Sequence, residues 1–316
     1  MNTPAKQGRV VILGIFVADL TFRAPRMPQI GETIAGTSFL MGPGGKGSNQ
    51  AVAAARAGAD VVFCTRIGND AFGSIARATW AAEGITARAK VLDHVSTGAA
   101  HIFVDENTGM NAIIVASGAA ATMDASDVDA IEADIASARV FVTQLEQPLA
   151  AARRGLETAR KHGVTTVFNP APATPLDDSI FPLCDYITPN ETEAEILTGV
   201  PIRSVDDARR AADVLLEKGV GTAIVTLGEN GALFHNREQS THVPAFSCGK
   251  VVETAGAGDG FTGGFAAALA RGDEPLAAVR FGSALAGISV TRAGTAPSMP
   301  TQDEIQQVLS QSPQPV

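Results

Sequence analysis

RVFVTQLEQPLAAARRGLETARKHGVTTVFNP, residues 139–170, decides the fold. Its ends, RVFVTQL and VTTVFNP, are short β-branched apolar runs that read as buried strands. Between them LAAARRGLETARKHG is rich in good helix formers and long enough for a helix. Strand, helix and strand in one short span make a crossover unit, with parallel strands and a right-handed connection.

The same alternation extends in both directions. Upstream lie the strand RVVILGIF (9–16), the helix KGSNQAVAAARAGA (46–59), the strand DVVFCTRI (60–67), AFGSIARATWAAEG (71–84), ITARAKVL (85–92) and VDAIEADIASA (128–138). Downstream come DYITPN (185–190), ETEAEILTG (191–199), VDDARRAADVLLEKG (205–219) and GTAIVTLG (221–228). The pattern predicts an α/β fold, a doubly wound and mostly parallel sheet flanked by helices. Two stretches break it: residues 20–41, with an edge strand in TIAGTSFLM, and residues 97–117, a hairpin turning at Glu106–Gly109. They predict a small β-sheet lid over the sheet's edge, within one domain spanning residues 1–316. Ile34, Phe39, Ile102, Ile113 and Val115 lie in these peripheral segments, and exposed apolar edges of this kind predict a homodimer through the lid. SPQPV (312–316) reads as a frayed tail.

Apolar residues make up 45% of the 316 residues and charged residues 18%, which permits a sizeable core. A net charge of −9 argues against nucleic-acid binding, which draws on Lys and Arg. The first apolar run is broken by Gly14 and ended by Asp19, too short for a membrane span, so no membrane association is expected. Cys64, Cys184 and Cys248 are odd in number and widely spaced, as expected of reduced thiols in a cytoplasmic protein. The five histidines show no metal-ligand spacing.

ETAGAGDGFTGGFAAALA (253–270) crowds glycines around one acid, Asp259, before an alanine-rich helix. Glycine costs a helix about 1 kcal/mol against alanine. It allows close backbone approach, however, and a helix start has free N–H groups and a favourable field for anions. Gly256, Ala257 and Gly258 are therefore placed as an anion cradle with a candidate base beside it. MGPGGKGSNQ (41–50) is a second such start, carrying Lys46 and Asn49. Neither is a known nucleotide loop. Leu40 and Gly47 break the Walker pattern, and Phe261 stands where the dinucleotide fingerprint needs its third glycine. A lone Gly-rich loop is usually a tight turn. Here polar residues also follow the strands, at Asp19, Gln144, Glu146, Asn169, Asn190, Thr226 and Gly228, where α/β sheets bind ligands. Taken alone, Asn190 before ETEAE reads as a helix N-cap. Together these features point to an enzyme handling a polyol and a phosphate.

GGKGSNQAVAAARAGA, IGNDAFG, NPAPA, TPNETEAEILTG, TLGENGA and GAGDGFTGGF, in that order, resemble the ribokinase-type sugar kinases, the phosphofructokinase B family. The resemblance runs from VVILGIFVAD to TRAGTAPSMP, almost the whole chain. It implies phosphorylation of a sugar hydroxyl by ATP with Mg²⁺, the 5-hydroxyl of D-ribose first. Asp259 would be the base, and the N–H groups of Gly256, Ala257 and Gly258 would hold the transferring phosphoryl. Asp19, Gly45, Lys46, Asn49 and Glu146 would hold the sugar, with Val17 facing it. Asn190, Glu193, Thr226, Gly228, Gly231, Gly258 and Ser283 would line the nucleotide, Glu193 reaching Mg²⁺ through water. Glu253, Ala255, Ser289, Arg292, Gly294 and Ser298 would hold an activating K⁺. Four positions depart from the family pattern: Val17 for an asparagine, Glu253 for an aspartate, Ala255 for a threonine or isoleucine, and Ser283 for a histidine. Two rivals remain open: a kinase of the same family for another sugar, sugar acid or nucleoside, and a non-catalytic sugar-binding protein on the same fold.

Overall fold

The computed structural model describes residues 8–311. The tail read at 312–316 lies outside the described residues. In chain order the strands are β1 (Arg9–Leu13), β2 (Val17–Ala24), β3 (Ser38–Gly44), β4 (Asp60–Gly68), β5 (Thr86–Leu92), β6 (Thr97–Asp105), β7 (Asn111–Gly118), β8 (Val140–Thr143), β9 (Thr165–Phe168), β10 (Tyr186–Ile187), β11 (Thr222–Thr226), β12 (Ala232–His235) and β13 (Ser240–Val243). The helices are α1 (Lys46–Arg56), α2 (Ala71–Ala82), α3 (Ala125–Ala130), α4 (Glu132–Ser137), α5 (Leu149–Lys161), α6 (Glu191–Thr198), α7 (Val205–Glu217), α8 (Ala257–Arg271), α9 (Pro275–Ser289) and α10 (Gln302–Gln311).

Nine strands form the main sheet in the order β13-β12-β11-β10-β9-β8-β1-β4-β5. All pairs are parallel except β11–β12 and β12–β13. The expected doubly wound, mostly parallel sheet is present. Successive residues of β1 point to opposite faces. Val10 and Ile12 join a core with α1, α8 and α9, whereas Val11 and Leu13 join one with α3, α4, α5, α6 and α7. Because both faces are buried, strands such as VVIL and VFVT carry almost no polar residue.

A separate four-stranded sheet has the order β3-β2-β6-β7 and forms the lid. Its first half is inserted between β1 and α1, and its second between β5 and α3. The hairpin turn falls where expected, with Gly109 N–H donating to Asp105 O at 2.8 Å.

Three local readings shift. The run 9–16 is not one strand: β1 stops at Leu13 and the lid strand β2 already starts at Val17. Gly14, whose N–H still donates to Cys64 O, lies against α1, where a Cβ would come within 2.7 Å of Gly47 Cα. The helix read at 128–138 is two, with a break at Ile131, and the first begins at Ala125 behind a capping box of Asp124 and Asp127. The edge strand in TIAGTSFLM pairs only from Ser38 onwards.

Candidate active site

Strand β1 lies at the point where the order reverses: the chain runs outward through β4 and β5 on one side and through β8 to β11 on the other. The crevice beyond the carboxyl ends at such a switch point is where α/β sheets hold ligands. The start of α1 and the loop after β8 border it, and the backbone N–H of Lys46 ties them together by donating to Glu146 Oε2 at 2.7 Å.

Helix α1 enters this crevice at Gly45, whose φ of 87° suits glycine and whose Cβ would sit 2.7 Å from Ile15 O. That close approach buries the first turns of α1, so Asn49 and Gln50 point into the molecule beside α8. Asn49 Nδ2 donates to Asp259 Oδ2 at 3.0 Å, and Gln50 Nε2 donates to Asp259 Oδ1 at 3.2 Å. Asp259 is only 6% exposed, in the first turn of α8. The helix begins at Gly256, in the left-handed region at φ 80°. Ala257 N–H is bound to Thr254 O, and a Cβ on Gly258 would meet nothing within 4 Å, so space opens beside the helix start.

The charges here are crowded. Burial pushes Glu146 up to about 7 and Asp19 up to about 6, and the charge of Asp259 adds to both. The Lys46 ammonium is held above its ordinary value chiefly by the charge of Asp259, with Glu146 and Glu193 contributing. Asp19 accepts a long bond from Thr295 Oγ1 at 3.5 Å, and a Cβ on Gly44 would collide with its carboxylate. Val17 is two residues before Asp19, so the two share one face of β2. Val17 is 3% exposed and packs beside Gly98.

Further along the carboxyl edge, Asn190 caps α6: its Oδ1 accepts from Glu193 N–H at 2.8 Å, and Glu193 Oε2 accepts from Asn190 N–H at 2.9 Å. The N-cap reading of Asn190 therefore holds, and it coexists with a place in the crevice, because Asn190 also bridges to Thr226 at the end of β11. Gly228 and Gly231 follow in the next turn, both at positive φ. Burial holds the Glu193 carboxyl above its usual range. Ser283 is on α9, and its Oγ is buried with no partner among the described residues.

The segments implied to hold a cation meet in one place: Val252 and Glu253 N–H both donate to Val290 O, and Gly294 N–H donates to Glu253 Oε2 at 2.8 Å. Ser289 O accepts from Arg292 N–H, and Ser298 Oγ donates to Thr295 O. Two participants escaped the sequence reading. Thr295 clips Pro43 O and Asp19 together, and Gln50 holds Asp259. Gln50 did carry a signal, since an amide amid the alanines of an inward-facing helix needs a buried partner.

Fold and crevice together define a kinase of small carbohydrates. The chain belongs to the pfkB family of carbohydrate kinases, whose family model matches residues 7–302. It is 41% identical over 301 residues to a ribokinase of Haemophilus influenzae, covering 95% of this chain and 98% of that one. It is 39% identical over 303 residues to a deoxyribokinase of Salmonella typhi, with 95% and 98% covered. The structure of Arabidopsis thaliana ribokinase complexed with ribose and ATP superposes with a TM-score of 0.89 at 28% identity, covering 96% and 98%.

Proposed function

We propose that this protein transfers the γ-phosphoryl group of ATP to a sugar hydroxyl, with D-ribose as acceptor and ribose 5-phosphate as product. One observation carries the reading: a buried carboxylate, Asp259, is held through both oxygens at a helix start that opens onto free space at Gly258. The likeness to ribokinases, one of them complexed with ribose and ATP, supports the substrate pair. The hydroxyl oxygen bonds to the γ-phosphorus as the bond to the bridging oxygen breaks. The hydroxyl proton passes to Asp259, and ADP leaves with the bonding electrons. The backbone N–H groups of Gly256 and Gly258 would face the charge on the moving phosphoryl, which is what such a loose transition state needs, and that of Ala257 would join them on leaving Thr254 O. Asp19, Gly45, Lys46, Asn49 and Glu146 take the sugar hydroxyls, whose donors need acceptors of this kind. Asn190, Glu193, Thr226, Gly228, Gly231 and Ser283 line the nucleotide.

Mg²⁺ fits this donor set. Among the described residues no cluster of three or more acids, histidines or cysteines could cage a metal. Mg²⁺ keeps several waters and is held largely through phosphates, so the single carboxylate of Glu193 suffices. Bound there, it would offset the phosphate charge. K⁺ would be held by Glu253, Ala255, Ser289, Arg292, Gly294 and Ser298, whose segments are joined where Gly294 N–H donates to Glu253 Oε2 and Glu253 N–H to Val290 O.

The lid supports a homodimer. Leu40, Ile113 and Val115 are exposed on the face that carries Asp19, while Phe39 and Ile114 are exposed on the opposite face. One apolar face suits closure over the sugar and the other a second copy. Ile102 is half-buried against the second core. Residues 8–311 form one kinase domain with this lid. Three free cysteines fit a cytoplasmic setting.

A second reading within the family is favoured by Val17: on the face it shares with Asp19, methyl groups suit a sugar lacking one hydroxyl, such as deoxyribose. A non-catalytic sugar binder would have no use for a buried carboxylate held by two amides. Measuring ADP release over a panel of pentoses, deoxypentoses, hexoses and nucleosides tests all of these. Ribose or deoxyribose as best substrate is expected, and no sugar-dependent ADP release would sink the proposal.

A further inference from the structure

Behind Asp259 the polar groups continue inward. Gln50 is fully buried. Its Nε2 donates to Asp259 Oδ1 at 3.2 Å and to Asn169 Oδ1 at 3.0 Å, and its Oε1 accepts from Gln144 Nε2. Asn169 in turn donates to Thr188 O at 2.8 Å. An ionised carboxylate only accepts, so the direction of every bond is forced. Gln50 must turn its NH₂ to Asp259, which leaves its carbonyl facing inward. Gln144 must then offer its own NH₂, and Gln144 Oε1 is left buried without a partner. A buried acceptor left unpaired at the end of a satisfied chain calls for a reason other than stability. The forced polarity supplies one, because it serves the ionised form of Asp259 alone.

We infer that Gln50 is a positioning residue for phosphoryl transfer: backed by Gln144, its amide fixes the plane of the Asp259 carboxylate and keeps it an acceptor towards the sugar site. The inference rests on Asp259 being the base. Asn49 holds the second carboxylate oxygen, but it stands among the candidate sugar contacts, whereas Gln50 is walled off by α8 and by Asn169. Asp19, Lys46, Glu146 and Glu193 face Asp259 with their charges, and Glu253 stands beyond Asp19. All five stay in place in the variants, so a difference between variants reads the amide chain.

The test compares Gln50→Met, Gln50→Glu, Gln144→Met and Asp259→Asn with the parent, using ATP and the best sugar of the panel. Met is unbranched and close in size to Gln, but it cannot donate. Gln50→Met should lower kcat about tenfold, leave both KM values within about twofold, and move the acid limb of kcat up by roughly 1 pH unit. Gln50→Glu should move it further, because two carboxylates then face each other. Gln144→Met should shift the limb in the same direction by less. If Gln50→Met does not fold, Gln144→Met decides, and an unmoved acid limb there overturns the inference. So does a folded Gln50→Met with parental kcat and pH profile, or a Gln50→Glu profile equal to that of Gln50→Met. Full activity in Asp259→Asn would instead remove the base assignment, and this inference with it. An inactive Asp259→Asn beside unperturbed Gln50 variants overturns the positioning role alone.

Discussion

Glu146 ought to weaken the ligand-free fold that contains it. Its carboxylate lies in the crevice with Asp19 and Asp259, and burial foremost pushes it up to about 7 from an ordinary 4.5, the Lys46 charge only partly opposing. A carboxyl whose folded value is raised favours the folded state while it is protonated. That advantage is fully present below about 4.5 and is lost as pH rises through about 7. At about 1.4 kcal/mol per pH unit the loss amounts to roughly 3 kcal/mol at pH 8. Glu146→Gln removes the charge but keeps an acceptor for the Lys46 N–H. Without ligand, the variant should therefore be about 3 kcal/mol more stable at pH 8, and for a chain of this length it should melt roughly 5 °C higher. At pH 5 the gain should shrink to under about 1 kcal/mol, because Glu146 is then protonated in the folded parent. Denaturant titrations at both pH values measure the difference, and sugar KM should rise as a hydroxyl acceptor loses its charge. A variant no more stable than the parent at pH 8, or one with an equal gain at pH 5, would refute the reasoning.

Asp259→Asn should lower kcat by roughly 10²-fold or more with little loss of fold, since Asn keeps the size but cannot take the proton; near-normal turnover in a folded variant removes the base. Val17→Asn should raise kcat/KM for ribose relative to deoxyribose by about tenfold or more, because leaving a hydroxyl unpaired costs about 1–3 kcal/mol. An unchanged ratio with ribose already preferred would show that Val17 sets no specificity. K⁺ should raise the rate over a bulky organic cation, and identical rates would dissolve the site around Glu253 and Gly294. Light scattering should give a dimer, and Phe39→Lys with Ile114→Lys, on the lid face away from Asp19, should shift it to monomer; a parent that is monomeric at assay concentrations refutes the interface.

Much of the molecule was legible along the chain. The strands and helices of the doubly wound sheet follow from β-branched runs and helix-forming segments, whose period of burial is set by residues only a few places apart. The two Gly-rich helix starts and the Asn190–Glu193 cap were visible for the same reason, because caps and turns are local chemistry. Local signals failed where a distant contact overrode them. β1 ends at Leu13, where the chain passes against Gly47 of α1. The antiparallel pair β12 and β13 was not read at all, because short strands at a sheet edge owe their pairing to a neighbour rather than to their own pattern. The composition of residues 41–50 marked Asn49, yet only the packing of α1 against α8 shows that Gln50 faces Asp259, 209 residues away. Periodicity reports which side of an element is buried. Which amide meets which carboxylate is decided only when the crossovers bring separate strand ends to one crevice, where low dielectric and missing water make an unpaired polar group costly.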